Sequence, residues 1–318
     1  MKNRIILPLI IMFFLNITVF CTGSAKEPVK WIYIPHYAKL SADDIAAAVS
    51  TNNIICFTGV FITGSGEIRF NRNSLIQEVI KSAAESGKIL YPLISFEDSA
   101  SGKKILSSKT LSDRAADKII AFIRSNSFTG FHLDLEYIDS TYAEKLSVLL
   151  KTIKENSGEL KVTMALYPQV EFNSPYSGFH DITLLAPHID EAVIMCYDMH
   201  RPDTNPGPVT DIKWTEKNII QLLKFLPSHK IILGIPAYGY IWPDNSSARA
   251  VSAKHGASLK KRYGYRRDDS GCAYLEYSGK GATTRGYISD KETRGKMIEL
   301  AAGYSLGGYA IWRAGFED

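Results

Sequence analysis

The sequence predicts an α/β fold, a (β/α)8 TIM barrel with a small α+β insertion between strands 7 and 8. Three observations carry that reading. From Lys30 onward, short apolar runs alternate with amphipathic helical segments, the pattern of β/α repeats around a parallel sheet. The apolar runs number eight, the strand count of a closed barrel. The chain holds 318 residues, enough for one large barrel.

The strands expected are Trp31–Pro35, Ile54–Ile62, Ile89–Ser95, Phe128–Glu136, Lys161–Tyr167, Glu191–Asp198, Lys230–Tyr238 and Gly308–Trp312. Between them, Ser41–Ser50 reads as a helix with Ser41 as N-cap and Asp43 and Asp44 in its first turn. Ser74–Ser86, closed by Gly87, and Ser112–Ser125 follow, and Thr141–Asn156 and Trp214–Phe225 continue the series. One interval breaks the rhythm: about fifty residues, 241–290, separate the seventh strand from the eighth. A helix expected over Ala248–Tyr263 and Gly- and Tyr-rich short segments after it make this the insertion, one wall of a cleft.

The N-terminus stands apart. Lys2 and Arg4 precede an apolar run, Ile5–Phe20, and small residues follow it up to Ala25, the layout of a secretory signal peptide spanning 1–25. Export is the expectation, with residues 26–318 as the barrel domain. Sixteen apolar residues are short for a membrane span, which needs about 20. An uncleaved anchor and a lipid anchor at Cys21 are the alternatives, the second disfavoured by the bulk of Phe20. Cleavage after Ala25 leaves Cys56, Cys196 and Cys272, an odd number, so the fold is not a disulfide scaffold. It also lowers the formal charge from +4 to +2. With Lys260-Lys261-Arg262 and Arg266-Arg267 as the basic clusters that stand out, nucleic acid is not an expected partner.

The chemistry concentrates on the fourth strand, Phe128-Thr129-Gly130-Phe131-His132-Leu133-Asp134-Leu135-Glu136-Tyr137. Residues two apart on a strand share a face, so His132, Asp134 and Glu136 point one way. Burying three ionisable groups is costly unless they are paired or used, and active sites lie at the C-terminal ends of barrel strands. Other strand ends add Met195-Cys196-Tyr197-Asp198, Gly234-Ile235-Pro236-Ala237-Tyr238-Gly239 and Gly308-Tyr309-Ala310-Ile311-Trp312-Arg313.

These motifs, in this order, resemble the family 18 glycoside hydrolases, the chitinases and N-acetylglucosaminidases, whose signature is Asp-Gly-x-Asp-x-Asp-x-Glu. Here it stands as Thr129-Gly130-Phe131-His132-Leu133-Asp134-Leu135-Glu136. The likeness covers Lys30–Asp318, and the closing stretch from Tyr287 to Gly315 is most similar to the bacterial spore-cortex and cell-wall branch. The resemblance implies substrate-assisted retaining hydrolysis of β-linked N-acetylglucosamine polymers, of chitin or peptidoglycan type, with no cofactor and no metal. It implies Glu136 as general acid, Asp134 orienting the substrate acetamido group, Tyr197 and Asp198 holding its carbonyl side, and Trp312 as the floor under the sugar.

Met195, Tyr33, Phe57 and Tyr238 are the remaining substrate-binding candidates. Thr129 and His132 depart from the signature. His132 is expected one layer below Asp134, as an imidazolium that tunes the carboxylate pair; the alternative is a neutral core histidine. A metal site is disfavoured because the other histidines near strand ends, His36 and His200, fall just past their strands. A non-catalytic sugar-binding member of the same family is the alternative function, which the retained Glu136 disfavours. The expected partner is an N-acetylglucosamine-containing polysaccharide, with cell-envelope association an option, met by a monomer.

Overall fold

The computed structural model describes residues 27–318 other than 245 and 280. The expected leader, with Cys21, lies outside the described residues. Eight parallel strands form the barrel: β1 (Val29–Ile34), β2 (Ile54–Ile62), β3 (Ile89–Phe96), β4 (Gly130–Leu133), β5 (Lys161–Leu166), β6 (Glu191–Met195), β7 (Ile231–Pro236) and β8 (Gly308–Trp312). β1 pairs with both β2 and β8, which closes the barrel. A short strand, Ile68–Phe70, adds to β2 in antiparallel fashion.

The helices dock on the outside through their apolar stripes. Ala42–Thr51 starts with a capping box, Ser41 accepting from the Asp44 N–H while Asp44 reaches back to the Ser41 N–H. Ser74–Glu85 is capped by Asn73, and Ala143–Ser157 and Ile212–Leu222 follow the expected positions. Lys109–Ser125 begins earlier than Ser112 because the Ser108 hydroxyl caps it. Ser99–Leu106 is an unexpected helix, its small polar sequence nucleated by the Asp98 cap.

Two apolar layers result. Sheet and helices enclose the larger core, while Trp31, Tyr33, Cys56, Tyr91, Leu93, Val193 and Ala310 fill the barrel interior. Among the described residues, the three cysteines, Cys56, Cys196 and Cys272, are buried free thiols. No described helix is long and apolar enough to cross a membrane.

The insertion is a five-stranded antiparallel sheet, Tyr238–Pro243, Arg249–Ser252, Arg266–Arg267, Ala273–Gly279 and Ala282–Ile288, with one helix, Ala253–Tyr263. It opens on a strand rather than a helix, three residues before the expected boundary. One face buries Ile241, Val251, Leu275 and Ile288 against that helix. The other carries Tyr238, Tyr240, Trp242 and Tyr287 towards the barrel mouth, packed with Tyr197 and Trp312. Asp290, 2% exposed, ties the insertion down: it accepts from Lys260 and Arg267 and caps the helix Lys291–Gly303.

Candidate active site

The β4 ladder stops at Leu133, earlier than expected, although the Asp134 N–H still donates to the Ile94 carbonyl at 2.9 Å. Beyond it the chain turns through Tyr137, whose left-handed backbone (φ 63°) is costly for a non-glycine residue. Two bonds hold that turn. The Tyr137 N–H donates to the Tyr167 hydroxyl at 3.0 Å, and the Ser99 hydroxyl donates to the Tyr137 carbonyl at 2.8 Å. His180, buried on the far side, braces the same segment by bonding the Leu135 carbonyl at 2.8 Å and accepting the Tyr167 N–H at 3.0 Å. Glu136 is thereby fixed with its carboxyl in the barrel mouth.

Asp134 and Glu136 line a cavity of about 410 Å³ together with Tyr137, Tyr167, Phe172, Tyr176, Met195, Tyr197, Asp198, Arg201, Tyr238 and Trp312. Burial pushes Asp134 up to about 6. Glu136 is raised well above the usual carboxylate range, first by burial and then by the neighbouring Asp134 and Asp198 charges, with the Tyr167 and Tyr137 side chains opposing. Glu136 therefore keeps its proton where an ordinary glutamate has lost it. The Asp134 Oδ1 atom is buried with no partner among the described residues.

β6 also ends early, at Met195, and Tyr197 and Asp198 lie on the turn that follows, Asp198 with φ 56°. Gly234 on β7 makes room for Tyr197, since a Cβ there would stand 3.2 Å from its ring and 2.7 Å from the Ile194 carbonyl oxygen. Asp198 accepts from the Tyr238 hydroxyl at 2.5 Å and the Tyr240 hydroxyl at 2.8 Å. Trp312, at the end of β8, packs against Tyr33 with ring centroids 5.3 Å apart.

Three expectations are corrected. Phe57 does not face the cavity: it points outward into the helix layer, against Phe70 and Phe128. Apart from Thr58, β2 carries apolar residues on both faces, so alternation gives little sign of which side is inward. Tyr33 does face inward but lies below the cavity, its hydroxyl 3.0 Å from His132 Nε2. The tuning role expected of His132 is the third. Its Nδ1 lies 2.9 Å from the Thr163 hydroxyl, which itself donates to the Phe131 carbonyl. Nδ1 is then the donor, and in the neutral ring that burial favours, Nε2 accepts from the Tyr33 hydroxyl, so both nitrogens are satisfied. Burial lowers its pKa to about 3, and no imidazolium faces Asp134.

Because His132 stays neutral in the fold but charges in the unfolded chain, it withdraws stability as the pH falls from about 6.5 towards 3. His132→Asn is expected to flatten that loss in melts taken against pH, and to leave both limbs of the kcat/KM profile in place. A displaced limb would reinstate the tuning role.

Residues 31–317 match the family described as glycosyl hydrolases family 18. The chain belongs to that family. The family 18 barrel of this chain superposes on the chitinase from Chromobacterium violaceum ATCC 12472 with a TM-score of 0.82 at 21% identity, covering 92% of this chain and 95% of the other. The spore cortex-lytic enzyme SleL of Bacillus cereus follows at 0.81 and 18%, over 91% and 71% of the two chains. At such identities the likeness is one of fold. In sequence, the uncharacterized glycosylase YvbX of Bacillus subtilis (strain 168) is 24% identical over 226 residues, 68% of this chain and 65% of the relative. The endochitinase of Brugia malayi is 27% identical over 264 residues, 67% of this chain and 50% of the relative. This family 18 chain thus spans between half and about two thirds of the length of these curated relatives.

Several cavity residues were not foreseen. Tyr167 ends one expected strand and Tyr137 follows another, neither assigned to the site, while Phe172, Tyr176 and Arg201 come from loops whose course no periodicity reveals. Tyr240 had a signal: Tyr238-Gly239-Tyr240-Ile241-Trp242 alternates aromatic with small or aliphatic residues, the period of a strand with an aromatic face. Among the described residues, no group of three or more His, Cys, Asp and Glu side chains is arranged to hold a metal ion.

Proposed function

We propose that this chain hydrolyses β-linked N-acetylglucosamine polymers by substrate-assisted retaining catalysis. The observation that carries the reading is the pair of half-buried carboxyls at the mouth of β4, with Glu136 raised well above the usual carboxylate range beside Asp134 and Asp198. Glu136 delivers its proton to the departing glycosidic oxygen while the substrate's acetamido oxygen attacks the anomeric carbon, giving an oxazolinium ion. No protein nucleophile takes part. Water then opens that ring from the same face, and Glu136, now ionised, takes the proton back, so the configuration is retained.

The other cavity groups fit this sequence. Asp134, with a buried oxygen that has no partner among the described residues, suits acceptance of the acetamido N–H. Its charge also balances the oxazolinium. Tyr197 holds the acetamido carbonyl side, and Asp198, fixed by two tyrosine hydroxyls, holds the neighbouring sugar hydroxyls. Trp312 offers an apolar face to the pyranose ring. We further place the protein outside the cytoplasm, on the leader-like residues 1–25.

The test is product analysis after incubating the protein with chitooligosaccharides and with purified peptidoglycan side by side. Reducing ends released from either support the hydrolase and name the polymer. Tight binding of oligosaccharide with no release from either favours the non-catalytic sugar-binding reading.

A further inference from the structure

On the insertion, a second pocket of about 320 Å³ is lined by Tyr263, Gly264, Tyr265, Arg266, Tyr274 and Glu276. Two of its aromatic side chains, Tyr263 and Tyr265, are exposed yet held in place, while Tyr274 is buried. Tyr265 is 52% exposed, and the Lys260 ammonium lies 4.9 Å from its ring centroid and the Arg267 guanidinium 5.9 Å. Both cations are themselves anchored on the buried carboxylate of Asp290. Tyr263, 38% exposed, is stacked on Tyr277 at 4.0 Å with the rings 3° from parallel. An exposed ring free to rotate loses entropy on binding a ligand; rings braced in this way have lost it already.

The pocket is joined to the catalytic cavity by one cross-strand row. Tyr240 is the register partner of Tyr287, Tyr287 of Tyr274, and Tyr274 of Arg266. Tyr240 donates to Asp198 in the cavity, Tyr287 and Tyr274 pack at 4.9 Å, and Arg266 covers Tyr274 at 4.6 Å. Three strand spacings separate the ends of the row, about 14 Å, a distance that a few sugar rings bridge.

We propose that this pocket is a second saccharide-binding site, which holds a stretch of the same N-acetylglucosamine polymer whose chain runs into the cavity. Tyr265 and Tyr263 present flat faces to the C–H faces of pyranose rings, and Arg266 and Glu276 at the rim offer in-plane donors and acceptors to hydroxyl and acetamido groups. A lipid surface would need aliphatic side chains that the lining lacks, and a polyanion would meet Glu276 at the rim. The site raises affinity for polymer by adding a second point of attachment. It leaves the cleavage of short fragments alone. The inference rests on the polymer named under Proposed function.

The experiment compares Glu136→Gln with the same protein also carrying Tyr263→Ala and Tyr265→Ala, by sedimentation with insoluble chitin and with peptidoglycan sacculi. The extra pair is expected to weaken polymer binding about tenfold. Glu136→Gln with Tyr265→Trp alone, which keeps an aromatic face, should hold on. In the active background, KM for polymer should rise with the tyrosine pair while kcat/KM for chitotriose stays, which also shows that the variant folds. Unchanged polymer binding by the tyrosine pair overturns the site, as does an equal loss on chitotriose. If no fragment is cleaved yet polymer binding still depends on Tyr265, the hydrolase reading fails and the site stands. If the parent binds neither polymer, both fall.

Discussion

Glu136→Gln is expected to lower turnover by about 10² or more while oligosaccharide binding is retained. The substitution keeps the shape and burial of the side chain and removes only the transferable proton. Its effect is large because of where the side chain sits. Burial and the neighbouring Asp134 and Asp198 raise the Glu136 carboxyl well above its usual range, so this group keeps an acid's proton to higher pH than an ordinary glutamate. The sign of the pH dependence follows: activity falls on the alkaline side as Glu136 ionises, and the wild-type kcat/KM profile should show that limb displaced above the ordinary carboxylate range. Single-turnover kinetics and oligosaccharide titration together check both halves. Unchanged turnover would remove Glu136 from the chemistry.

Asp290→Ala has the largest expected effect on stability, a loss of about 3–5 kcal/mol. Burial opposes ionisation of Asp290, but hydrogen bonds from Arg267 and Lys260, with the Thr293 N–H, outweigh it and hold the carboxyl well below its usual range. Truncation leaves Lys260, whose side chain is 14% exposed, without its carboxylate partner, and Arg267, 17% exposed, with Glu292 alone. It also strips the cap from the helix Lys291–Gly303. Because the folded carboxylate is more acidic than the unfolded one, its contribution is complete above about pH 4 and is lost as the pH falls below that. Thermal melts should show the deficit in full at pH 7 and a shrinking one in acid. A deficit independent of pH would mean that the lost packing, not the charge, matters.

The barrel itself was legible because its signal is repetitive: eight apolar runs separated by capped amphipathic helices fix strand order and closure. The insertion was legible as an interruption, but its boundaries were not. Tyr238 ends one expected strand and begins an actual one, and no local residue marks that break. At the site, period-two alternation put Asp134 and Glu136 on the inner side, although the ladder ends at Leu133 and Glu136 reaches the cavity through the strained turn at Tyr137. His132 shares their parity and was assigned their chemistry too. Alternation gives the face of a residue but not its depth, and one layer down the histidine meets Tyr33 and Thr163 rather than Asp134. Tyr33 fell to the same ambiguity, and Phe57 to a strand whose two faces are both lined with bulky apolar residues. Arg201 and Tyr176 reach the cavity from loops, where tertiary contacts alone decide direction.

In the mechanism proposed above, the substrate's own acetamido group is the nucleophile beside Glu136. Initial rates on an N-acetylated chitooligosaccharide and on its de-N-acetylated counterpart of equal length, with the product anomer followed by NMR, test it most directly. The account predicts cleavage of the acetylated chain with retained configuration and none of the other; comparable cleavage of both, or an inverted product, would contradict it.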